Sequence, residues 1–358
     1  MDQNIHNGIV SFIWGIADDV LRDIYVRGKY RDVILPMTVI RRLDCLLEPT
    51  KAAVLKENDF YENMEISDKS GLTEFTKYPF YNTSGFTLKK LLDEPRSIKE
   101  NLIDYLNGFS DNVQEIINKF KFRNQLETLV EHKRLYALIQ KFTDSDINLS
   151  PEPIKDKKGK VIQPGLSNLG MGYVFEELIR KFNEENNEEA GEHFTPRDII
   201  KLMVNLIFIP VKDQIQNTTY LVYDCACGSG GMLTEAENFL LELATGMGKK
   251  VVIHLFGQEV NPETYAICQA DMLIKVKETD NIKYASTLAN DGFPDFTFDF
   301  MLANPPYGKS WKVDQDKILV GRKKEVKDNR FLVKHQGEEL QLIPRSSDGQ
   351  LLLSLIHI

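Results

Sequence analysis

A predicted strand runs into a glycine-rich turn and then into a helix at Leu221-Val222-Tyr223-Asp224-Cys225-Ala226-Cys227-Gly228-Ser229-Gly230-Gly231-Met232-Leu233. The glycines let the backbone turn sharply and approach a ligand closely. Such turns occur in tight packing as well as in dinucleotide or phosphate binding. This one is not a Walker A loop, since no Gly-Lys-Ser/Thr follows, and its glycines lack Gly-x-Gly-x-x-Gly spacing. The stretch therefore predicts a strand–turn–helix unit, but the turn alone does not distinguish tight packing from ligand binding.

Short apolar runs alternate with helices beyond this turn. Residues 251–256 and 298–303 are predicted to be further buried strands. Strand–helix alternation predicts an α/β fold with a doubly wound, mostly parallel, Rossmann-like sheet. Glu259 ends the second strand, where the carboxyl ends of neighbouring strands meet at one crevice. A carboxylate there can accept hydrogen bonds from two ribose hydroxyls; a solvated Glu before the N-cap pair Asn261-Pro262 is the alternative.

The tetrad Asn304-Pro305-Pro306-Tyr307 directly follows the third predicted strand. Its two prolines fix the backbone and remove two N–H donors. The Asn304 amide oxygen and the Pro305 carbonyl oxygen can then accept hydrogen bonds from one amino group, while Tyr307 offers a flat face to a base. The exocyclic amine of a nucleobase is a poor nucleophile because its lone pair is delocalised, and two acceptors draw its nitrogen toward tetrahedral geometry. An ordinary Asn-Pro turn is the alternative.

A helix start is predicted within the stretch Glu192-His193-Phe194-Thr195-Pro196-Arg197-Asp198. Thr195 suits the N-cap, Pro196 the first helical position and Asp198 the third. Capping leaves residues 192–194 unexplained, and an aromatic before a helix N-terminus could hold the charged tail of a small ligand. His193 is interpreted as a structural histidine, since no second His or Cys is suitably spaced for a metal.

The first half of the chain is predicted to be helical, because apolar residues recur there at helical spacing. Residues 39–47 predict one such helix, with Arg41 and Arg42 on the side opposite its apolar stripe. Repeated prolines, glycines and lysines at 151–166 suit an exposed connection. The predicted organisation is a helical domain at 1–150, a linker at 151–166 and a catalytic domain at 167–358.

The composition of the chain limits how it could bind DNA, a metal or a membrane. The net charge of −9 indicates that any contact with DNA uses a local basic patch or depends on a partner protein. The four cysteines lack zinc-knuckle spacing, so no metal site is predicted, and reduced thiols in a cytoplasm fit best. Neither a signal peptide nor a membrane span is visible.

Together the motifs resemble those of the DNA amino-methyltransferases, and most closely those of the modification (M) subunit of type I restriction–modification systems. The resemblance runs through residues 30–37, 41–44, 171–178, 192–197, 224–231 and 304–307. It implies a helical N-terminal domain before an S-adenosyl-L-methionine-dependent adenine-N6 methyltransferase domain. It also implies DNA, a specificity subunit, a restriction subunit and a second M subunit as partners.

The resemblance further implies roles for individual residues. Asn304, Pro305, Pro306 and Tyr307 would hold the target base, and Glu259 the cofactor ribose. Asp291 would lie near the cofactor adenine. The remaining cofactor contacts would be Glu192, His193, Phe194, Thr195, Pro196, Arg197, Asp224, Gly228, Ser229, Gly230 and Gly231.

The chain departs from the family at two places. Cys225 replaces a proline common in the cofactor loop, and residues 354–358 do not resemble the expected continuation, which suggests a truncated product. A non-catalytic cofactor- or partner-binding fragment is therefore an alternative function, and an RNA or protein-glutamine methyltransferase is another. The lysines and arginine at 309–324 could contact phosphates, although such loops are more often simply solvated.

Overall fold

The computed structural model describes residues 3–185, 195–306, 308–320, 325–326 and 328–355. Contacts divide the chain into two compact units, Met1–Glu189 with Gln269–Thr279 and Ala190–Cys268 with Asp280–Ile358. This division falls after residue 189, whereas the sequence predicts a linker at 151–166. The linker as a boundary between sequence domains stays a prediction.

The first unit is predominantly helical, as its apolar periodicity predicts. Short 3-10 turns connect several of the helices, and a π-helical turn at Ala17–Leu21 continues the first. The helices are α1 (Gln3–Ile16), α2 (Arg31–Leu47), α3 (Lys51–Asn63), α4 (Leu72–Thr76), α5 (Ile98–Asn107), α6 (Asp111–Lys119), α7 (Leu126–Glu131), α8 (Leu135–Phe142) and α9 (Asn168–Glu185).

Helix α2 is buried around its circumference, so Arg41 and Arg42, which the sequence places opposite the apolar stripe, are enclosed as well. Arg42 donates to the carbonyl oxygens of Leu149 and Leu166 and, at 2.7 Å, to Oδ1 of Asn168. Arg41 forms a buried ion pair with Asp44 at 2.8 Å. Both guanidinium groups are tolerated inside the unit because they are hydrogen-bonded or paired.

Part of the predicted linker is an ordered hairpin of β1 (Ile154–Lys155) and β2 (Val161–Gln163). Oδ1 of Asp156 accepts hydrogen bonds from the backbone N–H groups of Lys158 and Lys160. Gly159 supplies the positive φ of 81° that the turn requires. The sequence predicted an exposed connection here, and the structure adds that part of it is a hydrogen-bonded hairpin.

A buried ion-pair cluster lies in the first unit. Nζ of Lys275 lies 3.0 Å from Oε1 of Glu176 and 2.5 Å from Oδ2 of Asp271. Burial alone would lower the pKa of Lys275, but the two carboxylates outweigh it and raise that pKa above its ordinary value. Gly172 leaves room for the Lys275 chain, because a Cβ there would overlap it.

The second unit contains a four-stranded parallel sheet with the order β5-β4-β3-β6, which confirms the predicted α/β fold class. Val222 and Tyr223 are adjacent in β3 and both buried, so both faces of the sheet are covered there. The sheet strands are β3 (Thr219–Asp224), β4 (Val252–Glu259), β5 (Ile282–Tyr284) and β6 (Phe300–Met301).

Strand β6 is shorter than the predicted run at 298–303, but hydrogen bonds to β3 continue on both sides of it. The Asp299 carboxylate accepts from the Leu221 N–H at 2.8 Å, and the Leu302 N–H donates to the Tyr223 carbonyl at 3.0 Å. The same segment therefore remains fixed along the edge of β3.

The remaining elements are helices beside the sheet and small hairpins. The helices are α10 (Arg197–Phe208), α11 (Gly231–Gly246), α12 (Pro262–Ile274), α13 (Lys312–Ile318) and α14 (Gly349–Leu355). The hairpin strands are β7 (Leu319–Val320) with β8 (Glu325–Val326), and β9 (Leu332–His335) with β10 (Glu338–Gln341). Among the described helices, none is long and apolar enough to cross a membrane.

Candidate cofactor and catalytic site

The glycine-rich turn connects the end of β3 to the start of α11. Oδ1 of Asp224 accepts a hydrogen bond from the Ala226 N–H at 3.0 Å, which holds the chain as it leaves the sheet. Gly228 and Gly230 adopt positive φ values of 53° and 81°. Because side chains other than glycine rarely adopt this conformation, the glycines are required by the turn itself.

Glu259 links the ends of the two central strands. Its Oε2 accepts a hydrogen bond from the Gly228 N–H at 3.0 Å, and its Oε1 accepts one from the Asn261 N–H at 2.7 Å. Oδ1 of Asn261 accepts from the N–H groups of Glu263 and Thr264, so Asn261 is the N-cap that the sequence suggests. Asn261 therefore caps the helix, whereas the Glu259 carboxylate joins the glycine turn to the end of β4. Glu259 is not simply a solvated residue at a helix start.

Asn304 follows β6, and its amide contacts the segment before α10. Nδ2 of Asn304 donates a hydrogen bond to Oγ1 of Thr195 at 3.1 Å. The prediction that Thr195 is an N-cap was wrong: Pro196 occupies that position and Arg197 begins the helix. The Thr195 hydroxyl instead fixes the amide of Asn304. Since the amide nitrogen bonds Thr195, the amide oxygen is left as the acceptor for another group.

Predicted site residues Glu192, His193, Phe194 and Tyr307 lie outside the described residues. Ser229 is buried within the glycine turn, and Gly231 is the first residue of α11.

One cavity brings the two predicted sites together. Its volume is about 310 Å³, and it contains both Glu259 and the turn Asn304-Pro305-Pro306 in its lining. The glycine turn contributes Cys225 and Ala226. The rest of the lining is Gln258, Val260, Asn261, Ala285, Ser286, Thr287, Leu288, Lys309, Ser310, Trp311, Asp314, Gly349, Gln350 and Leu353.

Asp291 is not among the described residues that line this cavity. Its Oδ1 accepts from the Phe293 N–H at 2.9 Å, and its Oδ2 lies 3.9 Å from Nε of Arg330. The segment that reaches the cavity is instead residues 285–288, directly after β5. Sequence reasoning missed this segment because it did not predict β5.

Gln258 also lines the cavity and was not predicted from the sequence. It is fully buried next to Glu259, and its Oε1 accepts from the Tyr223 hydroxyl at 3.0 Å and from the Gly292 N–H at 3.1 Å. Its Nε2 donates to the Asn290 carbonyl at 3.1 Å. A glutamine inside an apolar strand was the available signal, because a buried amide must find partners.

The electrostatics of the turn are dominated by burial. Asp224 is 1% exposed, and burial raises the pKa of its carboxyl to about 7, with the nearby Glu259 adding to the rise. Burial also raises the pKa of the Cys225 thiol, which keeps it uncharged. Burial at the end of β3 therefore disfavours negative charge on these two side chains.

Two sequence families match the chain, one in each half. Residues 167–341 match the N-6 DNA Methylase family, and residues 9–142 match the HsdM N-terminal domain family. These matches cover the parallel-sheet region with its Asn-Pro-Pro turn and the helical region before it.

Two curated relatives are methylase subunits of type I restriction enzymes. The MjaIX subunit of Methanocaldococcus jannaschii is 24% identical over 343 residues, covering 87% of this chain and 54% of that protein. The MpnII subunit of Mycoplasma pneumoniae is also 24% identical over 343 residues, covering 88% of this chain and 60% of that protein. The chain thus spans little more than half the length of these relatives.

A solved structure shares the fold. The methyltransferase subunit of a type I restriction-modification system from Streptococcus thermophilus superposes with a TM-score of 0.64 at 21% identity. The superposition covers 98% of this chain and 71% of that one.

The class that the fold and the matching families define is the N-6 DNA methylases. The helical N-terminal region narrows this class, because it matches the HsdM N-terminal domain family. The chain belongs to the family of modification (M) subunits of type I restriction–modification systems. The resemblance inferred from the sequence motifs is confirmed.

Proposed function

We propose that this chain is the methyltransferase subunit that transfers a methyl group from S-adenosyl-L-methionine to the N6 atom of an adenine in DNA. The observation that carries the proposal is the shared cavity of Glu259 and Asn304. Glu259 can accept hydrogen bonds from ribose hydroxyls, and Asn304 can accept one from an amino group. A methyl donor and a methyl acceptor can therefore lie next to each other in this cavity.

The cavity suits the adenosyl part of this cofactor. Its volume of about 310 Å³ lies at the lower end of the usual range for small-molecule sites. Val260, Leu288 and Leu353 give it apolar surface for a flat ring. Glu259 already accepts two backbone N–H bonds, and a carboxylate has further lone pairs for ribose hydroxyls. The cofactor supplies a methyl group on a positively charged sulfur.

The tetrad is proposed to orient the target amine. Oδ1 of Asn304 and the carbonyl oxygen of Pro305 accept the two N–H bonds of the adenine amino group. Thr195 supports this role because its hydroxyl fixes the Asn304 amide nitrogen at 3.1 Å. Tyr307 is proposed to stack on the base. The chain contributes positioning and exclusion of water rather than acid–base catalysis.

The remaining cofactor assignments are proposals of the same kind. Glu192 to Arg197 and Gly228 to Gly231 are proposed to hold the methionine part, near the buried Asp224. Asp291 is proposed to act only indirectly, through the loop that leads to the cavity, since its carboxylate bonds within that loop.

The substrate and partners follow from the family. A duplex adenine must leave the stack to enter such a cavity, at a cost of roughly a few kcal/mol. The net charge of −9 makes tight DNA binding by this chain alone unfavourable. We therefore propose that a specificity subunit reads the DNA, with a second M subunit and a restriction subunit in the complex. The alternative of a non-catalytic fragment is less favoured, because the Asn304 amide is held in position.

Transfer of radiolabelled methyl groups tests the proposal. The chain is combined with its specificity subunit and duplex DNA, and the product base is identified by mass spectrometry. Asn304→Ala should abolish formation of N6-methyladenine while cofactor binding persists. Asn118→Ala changes an exposed asparagine of α6 and serves as the matched control. Near-normal turnover by Asn304→Ala would refute the assigned role.

A further inference from the structure

Leu288, which lines the cavity, packs against two apolar clusters of the second unit. One cluster lies beside the sheet and includes Tyr223 and Leu353. The other is formed by the segment after the tetrad together with α14, and it includes Trp311 and Phe331. The position of this cavity residue therefore depends on the segment after the tetrad as well as on the sheet.

Arg330 holds the backbone of the same cavity segment. Its Nη1 donates a hydrogen bond to the Thr287 carbonyl at 2.8 Å, and its Nη2 donates one to the Leu288 carbonyl at 3.4 Å. On the other side, the Thr287 hydroxyl donates to the carbonyl of Cys225 in the glycine turn at 2.6 Å. Residues 287 and 288 are thus held between the glycine turn and one guanidinium group.

Two carboxylates fix the orientation of this guanidinium group. Nε and Nη2 of Arg330 donate to Oδ2 of Asp328 at 3.1 Å and 2.7 Å, and Oδ1 of Asp328 accepts the Arg330 backbone N–H at 3.0 Å. Oδ2 of Asp291 lies 3.9 Å from Nε and adds a second negative charge. A planar guanidinium held along one edge presents its remaining N–H groups in a fixed direction. Here that direction is toward residues 287 and 288.

We propose that Arg330 is a positioning residue that holds Leu288 against the adenine of the cofactor. This inference rests on the proposed function, in which Leu288 gives apolar surface to the flat ring. Without the guanidinium group, the carbonyls of Thr287 and Leu288 lose the donors that fix them on that side. Dispersion attraction weakens steeply as atoms separate, so a small displacement of Leu288 lowers the affinity for the cofactor.

A double-mutant cycle in ligand affinity tests the inference without measuring turnover. Calorimetry measures the binding of S-adenosylhomocysteine at a temperature where circular dichroism shows each variant to be folded. Arg330→Leu and Leu288→Ala should each bind about tenfold more weakly than wild type. The double variant should bind no more weakly than Leu288→Ala alone, because Arg330 then has no side chain to position. Wild-type affinity in folded Arg330→Leu, or a roughly hundredfold loss in the double variant, would overturn the inference.

A measurement on the wild-type chain keeps the test decisive even if Arg330→Leu folds poorly. Binding of S-adenosylhomocysteine should slow amide hydrogen exchange both at residues 285–288 and at residues 328–331, because Arg330 joins the two segments. Protection confined to residues 285–288 would overturn the inference alone. Failure of the wild-type chain to bind S-adenosylhomocysteine would overturn the proposed function as well. Arg345→Leu changes an exposed arginine of the same unit and, as the matched control, should retain wild-type affinity.

Discussion

The backbone N–H of Gly228 donates a hydrogen bond to Oε2 of Glu259 at 3.0 Å, so the turn after β3 and the end of β4 are joined by one carboxylate. The bond makes the ribose-binding candidate part of the glycine turn. A change at either residue should therefore affect both.

Glu259→Ala should weaken binding of S-adenosylmethionine by roughly 10- to 100-fold, because charge-assisted hydrogen bonds to buried polar groups contribute about 1.5–3 kcal/mol. Glu259→Gln should fall between Ala and wild type, since it keeps one acceptor oxygen. Calorimetric titration measures the effect, with Glu338→Ala at an exposed position of β10 as the control. Unchanged affinity in Glu259→Ala would remove the residue from the cofactor site.

Thr195→Val should lower kcat about tenfold, because it removes one hydrogen bond that holds the Asn304 amide, and the change in the cofactor Kd should be smaller than the change in kcat. Thr195→Ser keeps the hydroxyl and should restore most of the lost rate. Steady-state methyl transfer and calorimetry together separate kcat from cofactor binding. Equal turnover in Thr195→Val and wild type would show that the contact does not position Asn304.

Asp224 makes stability depend on pH. Burial raises the pKa of its carboxyl from 3.8 to about 7, so the folded chain binds this proton more tightly than the unfolded chain does. The contribution to stability is greatest below pH 3.8 and is lost as the pH rises to 7. Asp224→Asn should remove a slope that approaches about 1.4 kcal/mol per pH unit.

Urea unfolding at several pH values within this window measures the difference between wild type and Asp224→Asn. Asp213→Asn removes an exposed carboxylate of the same unit and controls for the change in net charge. Parallel stability curves for wild type and Asp224→Asn would contradict the assignment.

Val276 is a β-branched residue with a positive φ of 57° at the end of α12. Its N–H donates to the Leu273 carbonyl and the Lys277 N–H donates to the Met272 carbonyl, an arrangement that usually contains glycine. Val276→Gly should stabilise the chain by about 1 kcal/mol by relieving this strain. Val313→Gly, at an 85% exposed position in α13, should destabilise it instead. Thermal unfolding distinguishes the two, and destabilisation by Val276→Gly would contradict the prediction.

Lys275→Met should destabilise the chain by roughly 3–5 kcal/mol, because Glu176 and Asp271 would remain buried without their cation. Adding Glu176→Gln and Asp271→Asn to Lys275→Met should recover much of that loss, since the buried charges are then removed. Denaturant titration of the single and triple variants measures both effects. A triple variant no more stable than Lys275→Met would argue against electrostatics as the cause.

The sequence predicts the parts of this site that depend on local pattern. Alternating strands and helices predict the parallel sheet, and the glycines at 228 and 230 predict a turn that only they can form. Asn261 was recognisable as a helix cap because its partners lie two and three residues away. Each of these features depends on residues close together in the chain.

Features created by distant contacts could not be predicted. Trp311 and Arg345 meet through a hydrogen bond between separate segments, and no periodicity connects them. The same is true of the Thr195 hydroxyl, whose residue type equally suits a helix cap. The sequence places Arg42 on the polar side of a helix, but it does not show that residues 149–168 provide the acceptors for its hydrogen bonds. In each case a contact with a residue distant in the sequence determines the role of the side chain.

The most direct test of the shared cavity is a crystal structure with sinefungin, whose amine replaces the transferable methyl group. We expect an arrangement in which the ribose hydroxyls bond Glu259 and the amine points along the same cavity toward Asn304. A ligand bound in a different cavity, or bound at Glu259 with its amine directed away from Asn304, would contradict it.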